Sequence, residues 1–242
     1  MPKNQKYWEF KNKSDDEADL YLYIEIASWG GGYAAHSAQS FKNELDAMGD
    51  IKTLNVYINS PGGDVFEGSA IYNMLKRKAK TCQLNNYIDG LAASIASVIA
   101  MSGKVIMPSN AMMMVHNAWC YAAGNSNDLR DIANSLDKID ISIKQAYLNK
   151  AGDKLDDETI TNLMNKETWL TAQECLDYGL CDEIIGEKQV AAKFDNSIFK
   201  NYKNTPLAFK SEEEPEVEKP ITDPKNDIEA EKAKLLMELE LI

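Results

Sequence analysis

Between Leu20 and Leu75 a period-two alternation of apolar and polar residues twice gives way to apolar spacings of three and four, and that recurrence confines the chain to α/β architectures. LYLYIEI puts Leu20, Leu22, Ile24 and Ile26 on one side of a strand. A helical pattern follows from about Ala35 to Met48, with Phe41, Leu45 and Met48 on one stripe. TLNVYIN, Thr53 to Asn59, repeats the strand with Leu54, Val56 and Ile58. Asn59-Ser60-Pro61-Gly62-Gly63 breaks it, and Asp64 with Glu67 predicts a capped helix carrying Val65, Phe66, Ala70, Ile71, Met74 and Leu75.

The alternation continues as an extended Cys82–Ile88, a turn at Gly90, a helix from about Ser94, and short strands near Val105 and over Met112–Val115, with a turn between them at Pro108–Ala111. A largely parallel sheet flanked by helices is the expected result. From Ser126 to Lys150, Leu129, Ile132, Leu136, Ile139, Ile143 and Ala146 recur at helical spacing, which predicts one long helix whose apolar seam wants a partner. Thr171 and Glu174 form a second capping box, and Gly179 stops the short helix after it.

Charge separates the chain into two regions. The 242 residues carry a net charge of -12, of which -7 falls in residues 211–242, where 11 acidic residues face 4 basic ones. That segment reads as an acidic linker followed by a helical or disordered tail, with Ile228, Leu235, Leu236 and Leu239 able to line one side of a helix. The acidity argues against nucleic-acid partners and anionic lipid. MPKNQKYWEF has no apolar core of the signal-peptide kind, and Leu91–Met101 is too short and too interrupted to cross a bilayer, so no membrane partner is expected. Cys82, Cys120, Cys175 and Cys181 lack zinc-site spacing and read as reduced thiols of a cytosolic protein; neither a metal nor a cofactor is expected.

Only two histidines are present. His36 lies in the glycine-rich GGGYAAHSAQS, where it could cap or pack, while His116 ends the apolar run of a strand. In GLAASIAS small residues surround Ser94 at the start of a helix. A serine hydroxyl becomes nucleophilic when an adjacent base takes its proton, and two N–H donors must then face the developing oxyanion. A helix N-terminus can supply such donors, as can Gly62-Gly63, whose amides turn toward a cleft without a Cβ in the way. Either serine and histidine act together, or both are structural.

Four blocks, INSPGGDVFEGSAIYNML at 58–75, DGLAASIAS at 89–97, PSNAMMMVHN at 108–117 and ETWLTAQECLDYGLCDEI at 167–184, resemble in order the signature blocks of the ClpP serine peptidase family. The variant they look most like is the ClpP-related head maturation (prohead) protease of tailed bacteriophages and prophages. The resemblance covers about residues 18–187 and implies a ClpP/crotonase-like fold of repeated β-α-β units, with Ser126–Lys150 as the long handle helix through which rings stack. It implies Ser94 as nucleophile, His116 as general base, and Gly63 and Ile95 as oxyanion-hole amides. Where the family usually has an aspartate two residues before the aromatic of its fourth block, this chain has Glu167 before Thr168 and Trp169, so Glu167 is the expected third member, with Asp177 and Asp153 as replacements. Trp119, Tyr121 and Trp169 could line a substrate pocket or belong to the core.

The resemblance further implies a ring-forming homo-oligomer in the bacterial cytoplasm or the phage prohead, acting on capsid or scaffold proteins. An ATP-driven unfoldase would be needed for folded substrates, and the chain has no nucleotide loop of its own. The expected organisation is an N-terminal segment at 1–17, a peptidase domain at 18–188, a connector at 189–210 and the acidic segment at 211–242. Rival readings are a crotonase-like enzyme using only the amide pair, a Ser-Lys peptidase with Lys104 or Lys144 as base, and a catalytically idle capsid-assembly protein.

Overall fold

A computed structural model describes residues 6–27, 37–187 and 202–206. The chain divides into two compact units, residues 1–209 and 210–242. The acidic segment with its expected helix, and His36, lie outside the described residues.

The first unit is a mixed α/β body around an eight-stranded sheet. Strand β1 (Trp8–Asn12) runs antiparallel to β2 (Glu17–Tyr23), so the sheet begins upstream of residue 18. The period-two alternation does not run to Ile26. Ile24 turns to a φ of +70°, which ends β2 and leaves Ile26 to form an isolated parallel bridge with Gly63. Helix α1 (Ala38–Ala47) follows, burying Phe41 and Leu45. Phe41 is fully enclosed, with the Trp8 and Phe10 rings on it, and its truncation to alanine removes about 3–5 kcal/mol of packing.

Strand β3 (Thr53–Ser60) lies parallel to β2 and leads through the Pro61-Gly62-Gly63 turn into α2 (Val65–Lys78). Asp64 caps that helix by accepting from the amides of Phe66 and Glu67. The expected reciprocal contact from Glu67 is not made, because its carboxylate reaches 29 residues back and accepts from the Ala38 amide at 2.5 Å, tying α2 to the start of α1.

Strand β4 (Gln83–Ala93) is the longest, and it corrects the expected turn at Gly90. The chain passes through Gly90 extended, while the pairing with β3 shifts register between Ile58 and Ser60. Asn59 covers the irregularity by accepting from the Leu91 amide with its side-chain oxygen. Continuous β4 delivers Ser94 at its end, directly before α3 (Ile95–Ala100). Asn86, buried in β4, donates to the Ala100 carbonyl and to Ser102, fixing the far end of that short helix.

Strands β5 (Lys104–Pro108) and β6 (Met112–Val115) both pair in parallel with β4, at different levels. Helix α4 (Ser126–Ala151) is the long helix expected from the seam. Its second half buries Ile143, Ala146 and Tyr147, but Leu129 is 44% exposed and Ile132 and Leu136 are only half-buried. A turn of 3-10 helix, α5 (Asp157–Asn165), β7 (Thr168–Thr171), α6 (Ala172–Asp177) and β8 (Glu183–Ile185) follow among the described residues. The Thr171–Glu174 capping box forms as expected, and Gly179 takes the left-handed φ of +73° that ends the last helix. Among the described residues no helix is long and apolar enough to cross a membrane.

Candidate active site

Ser94 sits at the junction of β4 and α3 with φ +53° and ψ −131°, a conformation that side chains rarely adopt. The turn is held from both sides. The Ser94 amide donates to the Met114 carbonyl of β6 at 2.9 Å, and the Ser94 carbonyl accepts from the Ser97 amide and hydroxyl. The Ser97 hydroxyl also contacts Tyr147 of α4 at 2.7 Å, inside the core. The Ser94 hydroxyl thus stands at the end of β4, where strand gives way to helix.

Strand β6 brings the partner. Its last residues are buried, and His116, one residue beyond, directs its Nε2 to the Ser94 Oγ at 2.7 Å. The ring is 8% exposed. Burial lowers its pKa from the ordinary value of 6.5, and the nearby Glu167 charge opposes part of that shift. The imidazole is therefore neutral at pH 7 and able to accept a proton. The midpoint of the His116 ring titration, followed by NMR and identified by its disappearance in His116→Gln, is expected below 6.5, and a midpoint above it would mean that charge outweighs burial.

Of the two glycines in the turn before α2, Gly62 comes against Ser94 and Gly63 against Ile26. A Cβ on Gly62 would stand 2.5 Å from the Ser94 Cβ, and one on Gly63 would stand 1.9 Å from the Ile26 carbonyl oxygen, so both positions exclude any side chain. The parallel bridge with Ile26 uses the Gly62 carbonyl and the Asp64 amide, which turns the N–H of Gly63 to the opposite side. Ile95 is the first residue of α3, and its N–H belongs to the set that an α-helix leaves without internal partners. Amides left without internal partners beside a hydroxyl paired with a neutral imidazole are the kind of donors that can hold an oxyanion formed when that hydroxyl attacks a carbonyl.

The acid is placed differently. Glu167 enters β7 with φ +49°, and its Oε1 accepts from the Asn204 backbone amide at 2.7 Å, while its charge reaches His116 through space. Asp153 and Asp177 are both exposed, and Asp177 is engaged by Gln173. Lys104 pairs with Glu183 at 2.6 Å and Lys144 with Asp157 at 2.7 Å. Trp119 and Tyr121 are exposed and stack on each other edge to face, whereas Trp169 packs half-buried on Leu91, Ala93 and Met114 beside the site. The same apolar cluster takes Tyr202, whose ring stands edge-on to His116 at 5.4 Å. The sequence gives no sign of this neighbour, which lies more than eighty residues beyond His116. Among the described residues no cluster of ligating side chains is arranged for a metal ion.

The model of the family described as Clp protease matches residues 34–188, more than half of the chain. An ATP-dependent Clp protease proteolytic subunit of Ligilactobacillus salivarius is 34% identical over 148 residues, covering 60% of this chain and 73% of the relative. A protein of the same description from Bacteroides fragilis is 28% identical over 160 residues, covering 64% of this chain and 75% of the relative.

Proposed function

The chain belongs to the Clp protease family and is a serine peptidase, and from that premise we propose that it cleaves peptide bonds through an acyl-enzyme formed on Ser94. The 2.7 Å contact between Ser94 Oγ and His116 Nε2 carries this reading. His116 takes the hydroxyl proton as Oγ attacks the scissile carbonyl. The Gly63 and Ile95 amides hold the oxyanion, and the imidazolium returns its proton to the leaving amine. Water then repeats the sequence to release the acyl group. The Ser-Lys alternative gains nothing from Lys104 and Lys144, which are spent in ion pairs. Treatment of the purified chain with a fluorophosphonate, with the adduct located by mass spectrometry, tests the proposal: modification at Ser94 is expected, and a chain that stays unmodified overturns it.

Glu167 is the acid assigned to orient His116 and to offset the charge the ring acquires. Glu167→Gln keeps the shape and removes the charge, so kcat is expected to fall by about 10²–10⁴-fold. A fall of less than tenfold in peptide-ester turnover would pass the role to another group.

We assign the substrates to phage capsid or scaffold proteins, cut during head maturation in a bacterial cell or prohead. One feature of the sequence supports this: residues 211–242 form a strongly acidic extension beyond the family match. We propose the organisation 1–17, 18–188, 189–210 and 211–242 for the whole chain, with β1 of the first segment joining the sheet of the second and residues 205–242 docking the peptidase on head proteins. The half-covered apolar seam of α4 supports a homo-oligomer, since the other described residues leave Leu129 exposed and Ile132 and Leu136 half-buried, a face that another subunit would cover. The names of the relatives favour a second reading, a proteolytic subunit fed by an ATP-driven unfoldase. Purified chain without ATP separates the two: trimming of capsid or scaffold protein supports the maturation role, and degradation only with an unfoldase supports the other.

A further inference from the structure

Residues 202–206 lie across the site that the preceding residues build. The Tyr202 ring sits on the apolar cluster of Leu91, Ala93, Met112, Met114 and Trp169, edge-on to His116. Its hydroxyl donates to the Pro61 carbonyl, in the turn that carries Gly63, and is a hydrogen-bonding neighbour of the Ser94 side chain. Two residues on, the Asn204 amide donates to Glu167 Oε1 and its side-chain nitrogen to the Lys166 carbonyl at 2.5 Å. Thr205 is 5% exposed. One short stretch thus touches the hydroxyl, the imidazole, the glycine turn and the acid.

We propose that Tyr202–Pro206 is a tethered occupant of the peptidase site, holding the chain in a closed form that must release before a substrate segment can bind. The claim rests on the reading of Ser94 and His116 as nucleophile and base. A phenol lodged at Ser94 fills the space that a substrate carbonyl needs. The amide of Asn204 meanwhile takes one oxygen of the Glu167 carboxylate, the group assigned to orient the imidazole, and so competes with the ring for it. Covalent attachment makes weak contacts sufficient, because a tethered segment acts at an effective concentration of about millimolar order. Its effect on an untethered substrate is that of a competitor, raising KM more than it lowers kcat. The occupant's chemistry also describes what displaces it, a segment presenting a large aromatic or apolar side chain to the cluster and an amide to Glu167.

The full-length chain and its Tyr202→Ala variant provide the test, with Tyr202→Phe retaining the ring and Asn204→Pro removing the amide held by Glu167. Fluorophosphonate modification of Ser94 is expected to accelerate about fivefold or more in Tyr202→Ala if the closed form holds at least four-fifths of the molecules, and less in Tyr202→Phe. The NMR midpoint of His116, which needs no turnover, is expected to rise toward 6.5 in Tyr202→Ala as water reaches the ring. Asn204→Pro is expected to accelerate modification with Tyr202 intact, and it decides the matter if Tyr202→Ala does not fold. Wild-type rates and an unmoved midpoint in the variants overturn the tether while leaving the peptidase intact. A midpoint that rises in a protein never modified shows that Tyr202 covers His116 but overturns the nucleophile, and with it the reading of Tyr202–Pro206 as an occupant of a peptidase site.

Discussion

Ser94→Ala is expected to lower kcat for a peptide substrate by roughly four to six orders of magnitude, His116→Ala by a similar factor, and the double variant by little more than either. The near-equality is the informative part. On the proposed mechanism each residue is useless without the other, because an unassisted hydroxyl is barely nucleophilic and an imidazole without a hydroxyl has no proton to accept. Independent contributions would multiply, and a double variant weaker than both singles by their full product would show that Ser94 and His116 do not act as a pair. Neither change should unfold the protein. The Ser94 N–H keeps its hydrogen bond to the Met114 carbonyl, and the Ser94 carbonyl its contacts with Ser97, whatever the side chain, and His116 lies beyond the last residue of β6. Thermal melting followed by circular dichroism, run beside the kinetics, checks that the loss is chemical.

Gly63→Ala is expected to cost about 10²–10³-fold in kcat, the scale associated with removing one oxyanion donor, and to reduce stability as well. The added methyl would stand 1.9 Å from the Ile26 carbonyl, and the φ of +145° disfavours any side chain. The bridge to Ile26 must open, which displaces the strand end and swings the Gly63 amide away from Ser94. Gly49→Ala makes a fitting control: φ there is +64°, but nothing lies within 4 Å of the added carbon, so it carries backbone strain without disturbing the site. If both variants lose stability and only Gly63→Ala loses turnover, the amide is the cause. Equal turnover in the two would remove Gly63 from the oxyanion hole.

The elements that were legible in the sequence are those whose burial has a simple period. Leu54, Val56 and Ile58 alternate and are buried in β3, and Phe41 and Leu45 share the inner face of α1. Three features were less legible, for different physical reasons. Gly90 is a breaker by composition, yet it lies in a strand whose neighbour changes register there, so tertiary pairing overrides its local preference. The strand Trp8–Asn12 is too short and too polar for a periodic signal, and its place depends on pairing with β2 and on the Trp8 contact with Phe41. Glu67 has the spacing of a capping box, but an amide 29 residues away outcompetes the local one.

For the site, four ordered motifs named the residues and the fold brings Ser94 and His116 together. Glu167 was singled out by its place in a motif, and its hydrogen bond goes to Asn204 rather than to the ring. Spacing along a chain says which side chains can approach, whereas a contact between residue 167 and residue 204 depends on where the chain returns after β8.

The uneven covering of α4 has a consequence for order within the helix. Its last turns are locked by Tyr147, Ala146 and Ile143, while its first turns rely on the Asn125–Asp128 capping box and on contacts within the helix such as Ser135 with Asp131. A free-standing helical stretch of that length is marginal in water, so in a lone subunit the first half opens far more often than the second. Backbone amide exchange read along this one element thus becomes an internal gauge of self-association: steeply graded when subunits are dilute, level when their seams are covered.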